Sequence, residues 1–436
     1  MRRFALISSL LVACSDSALP PAEILDGGST APDLGGSAPR IEVLSVEIPE
    51  GLGTEAVLGD PLELIVSASG APAVVYGAAP AGSSRREVRF AERRALDDWA
   101  VEMAVVPGAD APMQELIALG AAVWGGAVRV VYLGGDNDDR PALQLPSDLI
   151  LATRDGSGQW SEQVLVDTSN EATGPCPSQY CDEGNVVGSH AALAVGPGEA
   201  WATSYRDTHF GFAADDFARS DVEVYRSSGD ATIVDAERGG GLWSNVAFLP
   251  DGNLAVAYLI DVEDEGERGI WVATGGSGFT PQLVAPEATT HRIAMAAAMD
   301  GRVWIAWFDA AQRDLDVASA LPPYDQWEIE NVEAAGSVGL HPDLALGPDG
   351  EPRVVYGFCG PVSDRDCPGN PGPDAEVRLA RKVGGDWIVD TLENGEGRGG
   401  VGFYNRIVRL ADDTWVAAFQ DVRNNDVVAV RFREAP

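Results

Sequence analysis

The sequence predicts an all-β fold, a β-propeller of seven four-stranded antiparallel blades, and three features carry that expectation. The first is a repeat. LALGPDGEPRVVYGF, beginning at Leu344, recurs as LAVGPGEAWATSY from Leu193, VAFLPDGNLAVAY from Val246, MAAAMDGRVWIAW from Met295 and IVRLADDTWVAAF from Ile407. Each copy is a short apolar strand, a tight turn built on Pro, Asp or Gly, and a second apolar strand ending in an aromatic residue. Asp-Gly between apolar runs marks a hairpin because the turn needs backbone angles that Gly adopts without steric cost. The second feature is the period of roughly fifty residues, which is that of a propeller blade. The third is the small size of the first strands, such as Ala191, Ala192 and Ala194, or Ala294, Ala296, Ala297 and Ala298. Strands that converge on an axis must be small. A sandwich or a right-handed β-helix leaves that recurrence unexplained.

The other strands follow in order. A third strand appears as DLILA from Asp148, DVEVY from Asp221, DLDVA from Asp314 and DVVAV from Asp426, and an outer strand is often opened by Trp99, Trp160, Trp327 or Trp387, with Phe279 in the equivalent place. Two further hairpins, LELIVSASGAPAVVYG from Leu62 and MQELIALGAAVWGGAVRVVYLGG from Met113, bring the blade count to seven. The seventh lacks an outer strand at the C-terminus, while residues 41–50, IEVLSVEIPE, read as an orphan outer strand. Pairing the two closes the ring and hides both edges from aggregation.

Ahead of the propeller, residues 1–13 carry Arg2 and Arg3 and then an apolar run too short for the ~20 residues that cross a bilayer. They read as a signal peptide. Leu11-Val12-Ala13-Cys14 resembles the lipobox of bacterial lipoproteins, which implies cleavage before Cys14 and lipidation, palmitate included, of that cysteine; an ordinary secretory signal with an incidental Cys is the other reading. Ser15 after Cys14 implies, by the same resemblance, sorting to the outer membrane. Residues 14–40 form a Pro-, Gly-, Ser- and Ala-rich tether, and the propeller domain is expected over 41–436.

Charge narrows the partners. Thirty basic residues, Lys382 the single lysine, stand against 67 acidic ones, a net charge of -37. Such a surface repels nucleic acid and anionic lipid, leaving the lipid on Cys14 as the membrane attachment. A monomer is expected. The remaining cysteines fall into two local pairs, Cys176 with Cys181 and Cys359 with Cys367, which an oxidising compartment would staple as disulfides; a four-thiolate zinc site is the alternative, though its ligand spacings are absent.

Propeller topology places the short first-to-second-strand turns on one face and the long loops, 134–147, 168–190, 206–220, 261–268 and 358–374, on the other. Long loops on a rigid scaffold are where binding resides. On that face His190 and His341 stand three positions before the leucine of their first strands, Arg292 holds the same offset before Met295 with His291 beside it, and Asp207, Asp261, Asp309 and Asp421 follow the aromatic ends of second strands. These are the candidate ligand-binding residues, expected to ring the channel mouth; capping of backbone amides is the other role open to the aspartates. The acidic loops DNDD from Asp136 and DVEDEGE from Asp261 offer oxygens for Ca²⁺ without EF-hand spacing, and no required cofactor is expected.

TRDGSGQW, residues 153–160, resembles the Asp-box of sialidase-like propellers, with Thr153, Asp155 and Trp160 matching and Ser157 in place of a Gly. In that family the box is structural, and catalysis uses an arginine triad, a Tyr–Glu pair and an Asp, a set that cannot be placed here. No Gly-x-Ser-x-Gly elbow, zinc helix or phosphate loop occurs. The expected function is therefore an exported, membrane-anchored lipoprotein whose propeller binds a protein or glycan through its loop-rich face, the competing reading being a sialidase-like glycoside hydrolase or lyase working with carboxylates at the channel mouth.

Overall fold

The computed structural model describes residues 41–435 apart from 53–55, 81–86, 106–118, 135–147, 167–185, 209–219, 237, 262–266, 289, 291, 361–374 and 396–399. Seven sheets of four antiparallel strands make up the propeller. In the sixth blade, for example, Val338–Leu346, Pro352–Phe358, Glu376–Val383 and Asp386–Glu393 run from inner to outer strand in chain order. Helix among the described residues is confined to the turn Pro197–Glu199. The first strand of the second blade begins at Leu119, and the stretch from Met113 that precedes it lies outside the described residues. So do the signal peptide and tether at 1–40.

The seventh blade closes the ring as the sequence predicts. Phe403–Arg409, Trp415–Asp421 and Asp426–Glu434 are completed by Ile41–Gly51, with Ile41 opposite Glu434 and Gly51 opposite Asp426. The closing strand thus enters at the end of the blade that carries the short inner-strand turns and runs toward the end that carries the long loops. Second strands such as Leu254–Ile260 and Trp415–Asp421 are buried at every position, since a neighbouring blade covers each of their faces.

Blade junctions repeat a polar latch. In the fifth blade's outer strand, Glu330 accepts hydrogen bonds from Lys382 and from Trp387 Nε1 (2.9 Å), while Glu333 takes Tyr356 and Arg378, all four donors belonging to the sixth blade. The closing strand reproduces the pattern at the same three-residue spacing. Glu47 accepts from Arg93 Nε (2.8 Å) and Nη2 (2.9 Å), Trp99 Nε1 (3.1 Å) and the Asp97 N–H (3.2 Å); Glu50 takes Tyr76 and Arg89 Nη1 (2.5 Å). Glu102 of the first blade repeats half of it with Arg154 and Trp160 of the second. Trp99, Trp160 and Trp387 are therefore seam donors, whereas Trp327 donates to the Tyr324 carbonyl of its own blade (3.1 Å). The Asp-box-like turn has a similarly local role: Asp155 Oδ1 accepts from the Ser157 N–H (2.8 Å) and the Gln159 N–H (2.9 Å), shaping the turn that delivers Trp160 to its junction.

Candidate functional site

The register of each blade fixes which inner-strand side chains face the axis. Every second strand carries a buried aromatic in its later half: Tyr76, Tyr132, Tyr205, Tyr258, Trp307, Tyr356 and Phe419. The residue before each aromatic pairs with one inner-strand position, and those seven partners are Glu63, Gly120, Ala192, Asn245, Ala294, Asp343 and Arg406. Two residues earlier, on the same face of the strand by the alternation of side chains, lie Pro61, His190, Trp243, Arg292, His341 and Tyr404 in six of the blades. The channel therefore has two rings of side chains near its loop-rich end, one of aromatic and basic groups at the rim and one carrying charge below it.

The rim is built by a recurring irregularity. The inner-to-second-strand pairing breaks between Ser189 and Ala192, Leu242 and Asn245, Leu340 and Asp343, and Phe403 and Arg406. At these bulges His190, Trp243, His341 and Tyr404 adopt left-handed backbone with φ of 53°, 53°, 46° and 51°. Bulges of this kind re-aim side chains and are common beside functional sites. Two residues ahead of each sits a left-handed glycine, and the choice is steric as well as conformational: a Cβ on Gly339 would lie 2.9 Å from the Leu315 Cα of the preceding blade, and one on Gly402 3.0 Å from the Gly357 Cα.

A cavity of about 240 Å³ opens at this end of the channel, lined by Glu63, His190, Trp243, Asn245, Arg292, Asp343, Tyr404 and Arg406 together with apolar atoms of the inner strands. Arg406 is ion-paired with Glu63, and Arg292 Nη2 approaches the same carboxylate at 3.9 Å. The Arg292 Nε and the His190 Nδ1 are buried without a hydrogen-bonding partner among the described residues. Asp343 accepts the Ile407 N–H at 2.8 Å; its burial, and then the neighbouring Glu63 charge, push its carboxyl well above the usual range. Burial, with Arg206 adding to it, lowers the His190 imidazole to about 3, which leaves the ring neutral. His190 meets the Trp243 ring edge-on at 4.7 Å between centroids.

Neighbouring inner strands are tied to one another just outside the cavity. Ser244 Oγ donates to the His190 carbonyl (2.6 Å), and Asn405 Nδ2 donates to the carbonyls of His341 (3.0 Å), Leu340 (3.1 Å) and Gly402 (2.8 Å). The rim is held across the blade junctions as well as within them.

Of the residues singled out from sequence, His190 and Arg292 line the cavity. His341 has the equivalent place in the sixth blade, where its ring packs on Tyr404 (4.6 Å) and Phe403 (5.3 Å). Asp207, Asp309 and Asp421 stand on second strands, one layer farther from the axis, Asp261 directly follows one, and the four are not among the residues lining the cavity. Asp309 Oδ1 accepts the Ala311 (2.8 Å) and Gln312 (3.1 Å) amides, Asp421 Oδ1 those of Arg423 and Asn424 (both 3.1 Å), Asp261 pairs with Arg268 at 2.8 Å, and Asp207 is buried at the end of its strand. Cys359 is buried against Phe308 and Leu340, whereas Cys14, Cys176, Cys181 and Cys367 lie outside the described residues, as do Asp136 and His291. Among the described residues no three His, Cys, Asp or Glu side chains gather to hold a metal ion. The residues missed from sequence, Glu63, Trp243, Asn245, Asp343 and Tyr404, share one signal: each sits at a fixed offset from the buried aromatic of its blade's second strand.

No family model and no curated protein matches the chain. Solved structures do. An oligogalacturonate lyase in complex with manganese superposes with a TM-score of 0.51 at 11% identity, over 91% of this chain and 97% of that one. A polysaccharide lyase gives 0.49 at 7% identity (86% and 90% covered), and a Hadza microbial sialidase 0.43 at 13% (83% and 73%). At such identities the likeness is one of fold. The chain is a seven-bladed β-propeller whose structural neighbours include sialidases and polysaccharide lyases.

Proposed function

We infer that this propeller is a binding module, docking a protein or glycan on its loop-rich face, where the cavity receives one group of the ligand. The observation that supports it best is the rim: Trp, Tyr and His side chains held on left-handed bulges, with Arg292 beside them, tied across blade junctions and surrounding an open, polar cavity. Such a frame is pre-organised, so little ordering cost is added on binding. The exported location, the lipid on Cys14 and the stapling of 176–181 and 359–367 belong to the same reading. The test is to replace Trp243 and Tyr404 with Ala, singly, and to measure capture of ligand from the envelope and surroundings against an equally folded variant of the opposite face, such as Asp251→Ala. Capture lost only in the latter would place the site on the wrong face.

A specific observation favours the second reading. Burial raises the Asp343 carboxyl beside a second carboxyl group, Glu63, and a raised acid next to a second carboxyl is the pairing that general acid catalysis of glycosidic cleavage uses. Turnover of an acidic or neutral polysaccharide by the wild-type chain, abolished in Asp343→Asn with binding retained, would establish a hydrolase or lyase in place of a binding module.

A further inference from the structure

The charges around the cavity do not cancel. Arg292 and Arg406 are two guanidiniums that share one close carboxylate, Glu63, while burial pushes the Asp343 carboxyl up and the His190 imidazole down, each toward its neutral form. One positive charge is left over, in a chain whose net charge is -37. It belongs to Arg292, whose side chain is 14% exposed and whose nearest carboxylate is at 3.9 Å, while Arg406 is closely held by that same Glu63. A half-enclosed guanidinium with a free Nε and no tight carboxylate is costly unless something completes it. The surrounding acidic surface disfavours anions at large, so an anion that does enter is selected by this group.

Neighbouring groups define what else the anion must carry. Asn245 and Asp343 are polar groups of the lining, the His190 Nδ1 is unsatisfied, and Trp243 and Tyr404 add aromatic rings. The volume of about 240 Å³ suits a small molecule or the end of a larger one. A planar, bidentate acceptor matches the guanidinium fork best.

On the binding reading above, we propose that the cavity is a site for the carboxylate of a small polar monoanion, with Arg292 as its principal partner and Glu63 as the residue that restricts the site to a single charge. Glu63 neutralises Arg406 from within the wall, so a dianion entering the cavity faces one unbalanced cation and one like charge. A sugar acid and a small hydroxy acid share the required chemistry, and the probes below separate them.

Titrate the full chain with D-glucuronate, L-lactate, malonate and D-glucose by calorimetry at low and high salt. Glucuronate or lactate is expected to bind, with affinity falling as salt rises, while glucose and malonate bind weakly or not at all. Arg292→Gln weakens the monoanion about tenfold or more, the scale of one charge-assisted hydrogen bond, and Arg292→Lys recovers part of that because it keeps the charge and loses the fork. Glu63→Gln gains malonate binding by about tenfold or more, because a like charge is removed and Arg406 is released. Circular dichroism establishes that each variant is folded. Failure of both carboxylates to bind, or malonate binding that is the same with and without Glu63, overturns the proposal. If a neutral glycan or a protein is still captured at the rim in that case, the binding reading stands and only the anion assignment falls.

Discussion

Replacing Glu47 with Ala should weaken the ring at its seam far more than the same change at an ordinary junction. The Glu47 side chain is 2% exposed and satisfies Arg93, Trp99 and the Asp97 amide, with Ser45 Oγ donating at 2.8 Å. Burial on its own would raise its carboxyl; the hydrogen bonds from Arg93 and Ser45, and the Arg93 charge, outweigh that and hold it below the ordinary value. Removing it strands a largely buried guanidinium, a loss of about 3 kcal/mol. With an unfolding entropy of ~2.1 cal/mol/K per residue over roughly 400 residues, the melting temperature falls by about 4 °C. At the equivalent junction Glu330 is 31% exposed, and Glu330→Ala should cost about 1 kcal/mol, hence about 1 °C. Thermal melts followed by circular dichroism, with size-exclusion chromatography to detect edge-to-edge association, measure both. Equal shifts in the two variants, or a Glu47→Ala shift under about 1 °C, would mean that the backbone ladder with 426–434 alone holds the closing strand and that the latch contributes nothing particular to the seam.

The titrating groups and cysteines give further expectations. His190 stays neutral in the fold to about pH 3, whereas an unfolded imidazole protonates near 6.5; its contribution to stability is therefore full above ~6.5 and lost at about 1.4 kcal/mol per pH unit as pH falls toward 3. His190→Gln should flatten that limb of the pH–stability curve, and an unchanged slope would contradict it. Asp343 is the opposite case: its raised carboxyl favours the fold below the unfolded value of ~3.9 and weighs against it as pH rises, so Asp343→Asn should melt higher than wild type at pH 7 and no higher at pH 3. Non-reducing peptide mapping should link Cys176 to Cys181 and Cys359 to Cys367, and a peptide joining the two loops would refute local pairing. Intact mass should show the mature chain beginning at acylated Cys14; a free N-terminus at another residue would refute the lipid anchor.

The blades were legible because turn chemistry and small inner strands repeat at fixed spacing, and both arise from local sterics. Closure was legible for a related reason: residues 41–50 had the character of an outer strand and no partner near them in sequence. The cavity was harder to read. Recurrent Asp residues after second strands drew notice by their frequency, yet at Asp309 and Asp421 that frequency reflects the need to cap strand-end amides. The axis-facing groups differ from blade to blade, Glu63 in one, Asn245 in another and Arg406 in a third, and so form no motif. Counting from the buried aromatic of each second strand would have aligned them. The pairing of Arg406 with Glu63 joins the last blade to the first, 343 residues apart in sequence, and only the closed ring makes it.

The direction of the closing strand has a bearing on how the protein meets its surroundings. Ile41 lies opposite Glu434, at the end of the seventh blade where the inner-strand turns sit, and Glu434 is itself bound by Arg353, which also holds Asp349 of such a turn. Any attachment made through the preceding chain therefore pulls on the turn face.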